Sequence, residues 1–247
     1  MHELLTRYNK RLRFEKKEMS HILITSLITA FILSFKLIDT GQGYVVNLIV
    51  LVIIAATSFF MHFGAQKIIG LSLGYESKYK PWLNGMLISI IICFFSYGYI
   101  PLFFTGSLWH EHISKLRVDV FRGGVKHKDL GYIAFAGPIT NIVLVGLIAP
   151  IYLATKSPLI YAIIIVNLLI AVYSLLPIPT FEKLRQFKGG TTGLYLFIAS
   201  RWIWVLAFVS ILAYAALILL FNFFSYIIAV LIGAVITIIY YLNYEEA

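Results

Sequence analysis

Six apolar runs, each close to the length that crosses a membrane as a helix, dominate the hydrophobic pattern of the chain. They lie at 21–37, 44–68, 131–154, 159–180, 202–221 and 224–242. A helix rises about 1.5 Å per residue, so runs of this length cover the roughly 30 Å of hydrocarbon in a bilayer. The pattern predicts an all-α polytopic membrane protein with about six transmembrane helices. Its single membrane domain covers 21–242 and follows a basic cytoplasmic segment at 1–20.

A seventh apolar stretch, at 82–104, differs from these runs because Gly98 and Pro101 interrupt the helical pattern in its second half. Loops on the cytoplasmic side of a membrane carry an excess of lysine and arginine. If the stretch turns back to the side it came from, only Lys36 and Lys156 of the 20 basic residues lie outside. A full crossing would move the basic loop that follows to the outside. The charge pattern therefore predicts a re-entrant hairpin, with both termini in the cytoplasm. We expect the membrane to be the cell membrane.

Composition supports a membrane protein and excludes other classes. The chain is 60% hydrophobic and 13% charged, whereas soluble domains carry about 25% charged residues. The net charge of +9 comes from short basic stretches between apolar runs, so the predicted partner is the lipid bilayer and not nucleic acid. A lone cysteine, Cys93, excludes an intramolecular disulfide and a Cys/His zinc module. The apolar run His21–Phe35 resembles the core of a signal peptide, but no small-x-small site follows, so we expect an uncleaved first helix.

Polar residues at membrane depth are rare and mark functional sites. The clearest is His62 in the second run, with Gln66 one turn later on the same helix face. An HExxH motif at this place would supply two zinc ligands and a general base. Here Phe63 stands at the position of the base and Gln66 at that of the second ligand. The simpler alternative is that His62 and Gln66 only hydrogen-bond to neighbouring helices.

Two later segments contain helix-shaping prolines beside polar residues. In AGPITN, Gly137 and Pro138 are expected to form the start of a helix, with Asn141 one turn inside it. In SLLPIPTFEK, two prolines are expected to unwind the end of a helix and to place Glu182 there. These prolines are Pro177 and Pro179.

Taken in order, these segments resemble the motifs of a known family. HFGAQK, GPITN and LLPIPTFE are similar to the HExxHK, GPxxN and LLPxPPLDG motifs of the site-2 protease family of intramembrane zinc metalloproteases, in particular its compact archaeal members. Order and spacing agree from about residue 44 to 205. The resemblance implies a core of three helices over 44–182, with two C-terminal helices over 202–242 beside it.

The resemblance also implies that the zinc chemistry is degenerate. His62 occupies the position of the first zinc ligand, and Gln66 replaces the second histidine. Phe63 replaces the catalytic glutamate, and Glu182 replaces the aspartate ligand. Lys183 stands where the motif has glycine, and Ser174 where it has asparagine. The scaffold residues that the resemblance implies are retained are Gly137, Pro138, Asn141, Asn167, Pro177 and Pro179.

The function that this pattern predicts is a non-proteolytic relative that binds or regulates a transmembrane helix of a client protein, without a cofactor and without catalytic residues. The alternative is a divergent zinc metalloprotease, in which His62 and Glu182 bind zinc with the help of a loop histidine. The candidate loop residues are His110, Glu111, His112 and His127. A third interpretation is a small transporter or channel with a cavity around His62, Gln66 and Asn84.

Overall fold

The computed structural model describes residues 11–41, 43–113, 126–183, 186–221 and 224–244, and these residues are mostly helical. The helices are α1 (Lys16–Ser34), α2 (Tyr44–Leu73), α3 (Leu83–Phe95), α4 (His127–Thr155), α5 (Pro158–Ser174), α6 (Thr192–Ala199), α7 (Arg201–Phe221) and α8 (Phe224–Tyr244). The strands are β1 (Tyr75–Pro81), β2 (Gly106–His112), β3 (Pro179–Lys183) and β4 (Gln186–Gly190).

Four of these helices are long and apolar enough to cross a membrane, namely α2, α4, α7 and α8. Helices α3 and α5 are apolar but shorter. The protein is therefore embedded in a membrane, as the composition predicted. The run at 21–37 lies mainly in α1, whose first turn is charged. The run at 159–180 gives a helix that ends at Ser174, before Pro177 and Pro179, because proline lacks the N–H that would continue a helix.

Two β-hairpins are present that the all-α prediction missed. Strand β1 pairs antiparallel with β2, and β3 pairs antiparallel with β4. In β1 the side chains of Tyr75, Ser77 and Tyr79 are buried, while Glu76 and Lys78 are partly exposed between them. This period of two is the mark of a half-buried strand, and the segment YESKYK displays it in the sequence.

The segment 82–105 leaves the β1–β2 hairpin and returns to it. Its two ends meet because Pro81 pairs with Gly106. The hairpin lies beside the start of α1, where the backbone N–H of Tyr79 donates to the carboxylate of Glu18 at 2.8 Å. Gly98, at the turn of the segment, packs against Phe35 and Lys36 just beyond the other end of α1. The segment therefore runs along the length of α1, about 25 Å at 1.5 Å per residue, and back.

Helix α2 lies at the centre of the fold and packs against α1, α4 and α5, while α7 and α8 pack mainly against each other. Buried apolar residues form one cluster around α1, α2 and α5 and a second around α4, α5 and α7. Two of the buried polar residues of α2, His62 and Gln66, face α4. Part of the sequence-predicted site lies at this contact.

Candidate functional site

A close contact between α2 and α4 brings His62 and Gln66 against Gly137. A Cβ atom on Gly137 would lie 2.5 Å from Nε2 of His62 and 2.7 Å from Nε2 of Gln66, so only glycine fits between the two side chains. His62 and Gln66 are each 1% exposed, and Asn141, one turn after Gly137, is 0% exposed. We call these four residues the His62 cluster.

Gln66 supplies a hydrogen bond that the backbone of α4 lacks. Its Nε2 donates to the carbonyl oxygen of Ala134 at 3.2 Å. In a regular helix that carbonyl accepts from the residue four positions later, but here this residue is Pro138, which has no N–H. The prediction that Gly137 and Pro138 start a helix was therefore wrong. Helix α4 begins at His127 and continues through Pro138, because a side chain from α2 replaces the missing donor.

The same amide group of Gln66 lies 3.4 Å from Nε2 of His62. If Gln66 donates there as well, Nε2 is the acceptor and the proton of the neutral imidazole resides on Nδ1. Within the described part of the chain, Nδ1 of His62 has no hydrogen-bond partner. Asn141 lies beside the imidazole, yet neither its amide oxygen nor its amide nitrogen completes a hydrogen bond with a described residue. The His62 cluster thus presents three unpaired polar atoms inside the protein.

Phe63 fills the position that the resemblance assigns to a general base. Its ring stacks on Tyr79 at 4.2 Å between centroids and on Phe59 at 5.8 Å. The edge of the His62 ring meets it at 5.2 Å. Phe63 is 1% exposed. An apolar stack therefore occupies the space in which a carboxylate would have to bind water.

The remaining scaffold residues do not join the His62 cluster through any described contact. The amide of Asn167 donates to Ile163 of its own helix at 2.8 Å, and its Oδ1 has no partner among the described residues. Pro177 lies in the turn after α5, and Pro179 is the first residue of β3. Glu182 lies on β3 and not at a helix end. Its side chain is outside the described residues.

Of the loop histidines, His110 is held away from His62. The Nδ1 atom of His110 hydrogen-bonds to Ser77 at 2.8 Å, and Ser77 packs against Gly70. Gly70 lies eight residues after His62 on α2, which corresponds to about 12 Å along the helix. Burial lowers the pKa of His110 to about 4. His127 is exposed, and the side chain of His112 is outside the described residues.

The cavity suggested around His62, Gln66 and Asn84 is not formed by these three residues. Asn84 lies on the exposed face of α3, whereas the other two are buried. This interpretation failed because Asn84 was assigned to the site from its position in an apolar run alone.

The polar atoms of the His62 cluster do not fit a zinc site. Zinc in proteins is bound by histidine, cysteine and carboxylate side chains, and the cluster offers one imidazole and two carboxamides. Among the described side chains, no group of three or more His, Cys, Asp or Glu residues could hold a metal ion.

Sequence reasoning missed an ion pair beside this cluster. Nζ of Lys67 lies 2.7 Å from Oε2 of Glu18, and both side chains are buried. Lys67 follows Gln66 directly, whereas Glu18 was assigned to the basic N-terminal segment. A carboxylate that directly follows Lys16 and Lys17, just before an apolar run, is the signal that could have indicated a buried partner.

Comparison with known proteins points to a metalloprotease-like relative. The chain is 25% identical over 181 residues to a protein of Methanocaldococcus jannaschii whose name describes it, provisionally, as a zinc metalloprotease. The match covers 71% of this chain and 86% of the relative. No protein-family model matches the chain, and no solved structure shows significant similarity. The relative and the apolar helices together support a membrane protein with a protease-like scaffold.

Proposed function

We propose that the protein is a multi-pass membrane protein with a site-2-protease-like scaffold that binds or regulates transmembrane segments of client proteins without cleaving them. The observation that carries the proposal is that Gln66 and Phe63, at the positions of a zinc ligand and a general base, both make structural contacts. Gln66 caps the carbonyl of Ala134, and Phe63 belongs to an aromatic stack with Tyr79. Neither residue is then available to bind zinc or to activate water, the two steps on which zinc-dependent hydrolysis depends.

The unpaired polar atoms of the His62 cluster support binding of a client. A buried polar atom without a partner costs about 1–3 kcal/mol, and few alternative partners exist inside a membrane. The imidazole Nδ1 of His62 and the amide of Asn141 offer both donors and an acceptor. These are the groups that a peptide backbone requires when part of a transmembrane segment is not helical. The client is thus recognised through its backbone, by an imidazole and a carboxamide.

The scaffold in this proposal has six crossings, with α1 and α5 added to the four long apolar helices. The pairing of Pro81 with Gly106 supports a re-entrant segment at 82–104, because both of its ends lie at one hairpin. The three core helices α2, α4 and α5 pack against one another, as expected for such a core. Both termini then lie in the cytoplasm.

The second candidate is a divergent intramembrane zinc metalloprotease, favoured by the name of the relative from Methanocaldococcus jannaschii. It would need His62, Glu182 and a further ligand. His110 does not suit that role, because it bonds to Ser77 about two helical turns from His62. An active enzyme of this kind would also need a base to replace Phe63.

Metal content separates the two candidates. The protein, purified in detergent, is analysed by mass spectrometry together with His62→Ala and Glu182→Ala. We expect no stoichiometric zinc in any of the three. Near-stoichiometric zinc that is lost in both variants, or cleavage of transmembrane peptides by the reconstituted protein, would overturn the proposal.

A positive test measures client binding directly. A fluorescent transmembrane peptide interrupted by Gly-Pro is titrated against the protein in lipid nanodiscs, with an uninterrupted Leu-rich peptide as the control ligand. We expect the interrupted peptide to bind more tightly, and Asn141→Leu to remove the difference because it removes the amide. Asn84→Leu, on the exposed face of α3, is the matched control and should leave the difference unchanged. Equal binding of both peptides would contradict the backbone-recognition part of the proposal.

A further inference from the structure

The segment Arg11–Glu18, which we call the strap, is tied to the rest of the protein by three ion pairs. Arg11 pairs with Glu76 on β1. Glu15 pairs with Lys78 on the same strand at 2.6 Å. Glu18 pairs with Lys67 on α2 at 2.7 Å. The first two pairs are partly exposed, and the third is buried.

The carboxylate of Glu18 connects the strap to both α2 and β1. One of its carboxylate oxygens accepts from Lys67 and from the backbone N–H of Glu15 at 2.9 Å. The other oxygen accepts from the backbone N–H of Tyr79 at 2.8 Å. A buried ion pair adds little stability compared with apolar residues of similar size, but removal of one partner leaves an uncompensated buried charge. An attachment of this kind is easy to release by neutralising a single group.

The strap also covers the surface of α2 that carries Lys67. Nζ of Lys67 donates to the carbonyl oxygen of Arg13 at 3.2 Å and lies 4.3 Å from the centroid of the Phe14 ring. The Phe14 ring in turn packs on Phe60 with 4.7 Å between centroids. The strap therefore lies over the turns of α2 that carry the His62 cluster on their other face.

Two short routes connect the strap to the His62 cluster. Along α2, Lys67 follows Gln66 directly. Through β1, Glu18 holds the backbone of Tyr79, and the Tyr79 ring stacks at 4.2 Å on Phe63, the neighbour of His62. Displacement of Glu18 would release both Lys67 and Tyr79, which are the residues that separate the cluster from the strap.

We propose that the strap is a releasable latch that holds Lys67 of α2 and Tyr79 of β1 in place beside the His62 cluster, and that breaking the Glu18–Lys67 pair loosens this packing and opens one end of the cluster. The inference rests on the proposed function for what the opening admits, namely a client segment. The opening itself can be measured without a client, so the two proposals can fail separately.

The test measures access to the cluster with a thiol reporter. Asn141→Cys is introduced into a Cys93→Ala background, because Asn141 makes no completed hydrogen bond with a described residue that the change would remove. The rate of reaction with a small maleimide is measured in lipid nanodiscs. We expect Glu18→Gln to raise the rate at least about tenfold, because it leaves Lys67 unpaired and loosens the strap. Glu15→Gln removes a matched carboxylate from an exposed pair and should change the rate less than about twofold.

A cross-link distinguishes opening of the strap from general loosening of the helices. Nζ of Lys78 lies 2.6 Å from the carboxylate of Glu15, so a water-soluble carbodiimide can join the two side chains by an amide bond before the reporter is labelled, with the water that is lost taken up as the carbodiimide becomes a urea. This cross-link should return the rate of the Glu18→Gln variant to that of the unmodified strap. The proposal is overturned if Glu18→Gln leaves the rate unchanged, or if the increase persists with the strap cross-linked.

Discussion

The side chain of Gln66 supplies the hydrogen bond that Pro138 cannot, because it donates to the carbonyl of Ala134 four residues before the proline. Replacing Gln66 with leucine should leave that carbonyl unpaired inside the membrane and destabilise the protein by about 1–3 kcal/mol. Unfolding in mixed detergent micelles measures the loss.

A double-mutant cycle tests the cause. Pro138→Ala restores a backbone N–H that can donate to Ala134, so Gln66→Leu should cost less in that background by about 1 kcal/mol or more. Equal costs in the two backgrounds would mean that Gln66 stabilises the protein in another way.

The contact of Gly137 with His62 gives a second prediction. Gly137→Ala places a methyl group 2.5 Å from Nε2 of His62, so we expect α2 and α4 to be forced apart and the thermal midpoint of unfolding to fall. Gly64→Ala is the matched control on α2, since among the described residues no atom beyond the adjoining helix backbone lies within 4 Å of a Cβ there. Adding His62→Ala should recover part of this loss of stability. If it recovers nothing, the added methyl group clashes with atoms other than those of His62.

His110 predicts a pH dependence of stability. Its pKa in the folded protein is about 4, because burial disfavours the charged ring, whereas an unfolded chain has a value near 6.5. Between these values the unfolded state binds more protons, so the free energy of unfolding should fall as the pH drops from about 6.5 towards 4.

His110→Gln keeps a polar partner for Ser77 and should flatten this decline when unfolding is followed at pH 7 and pH 4.5. His127→Gln, at an exposed position, should not. If both variants decline as steeply as the parent protein, His110 is not the group responsible.

The proposed topology predicts which loops share a side of the membrane. Cysteine at Glu111, on the hairpin next to the strap, should react with an impermeant thiol reagent only when the cytoplasmic side is exposed. Cysteine at Lys156, between α4 and α5, should react from the opposite side. Labelling of both positions from one side would rule out the six-crossing arrangement with a re-entrant segment.

The sequence was sufficient to predict the apolar helices and the shared face of His62 and Gln66, because both follow from periodicity within one segment. It was insufficient for Pro138, because a proline signals a helix boundary locally. The missing hydrogen bond is supplied by Gln66, which lies 68 positions before the acceptor Ala134. The Glu18–Lys67 pair is also non-local, because its partners are 49 positions apart in the sequence.

The β1–β2 hairpin was missed for a different reason. Its period of two is visible in YESKYK. However, the strands flank a long apolar stretch, and only this stretch was interpreted, as a re-entrant membrane hairpin. In the structure the apolar segment 82–105 is inserted between the two paired strands.

This insertion has a consequence for how the protein tolerates changes in length. Because Pro81 and Gly106 are paired, residues added or removed at the far turn near Gly98 leave the register of β1 and β2 unchanged. Gly106 itself is at φ 120°, and a Cβ there would lie 2.3 Å from the carbonyl oxygen of Lys80. In evolutionary terms, the pairing at the base of the segment is therefore insulated from changes in length at its tip, whereas the glycine that closes the base is not replaceable.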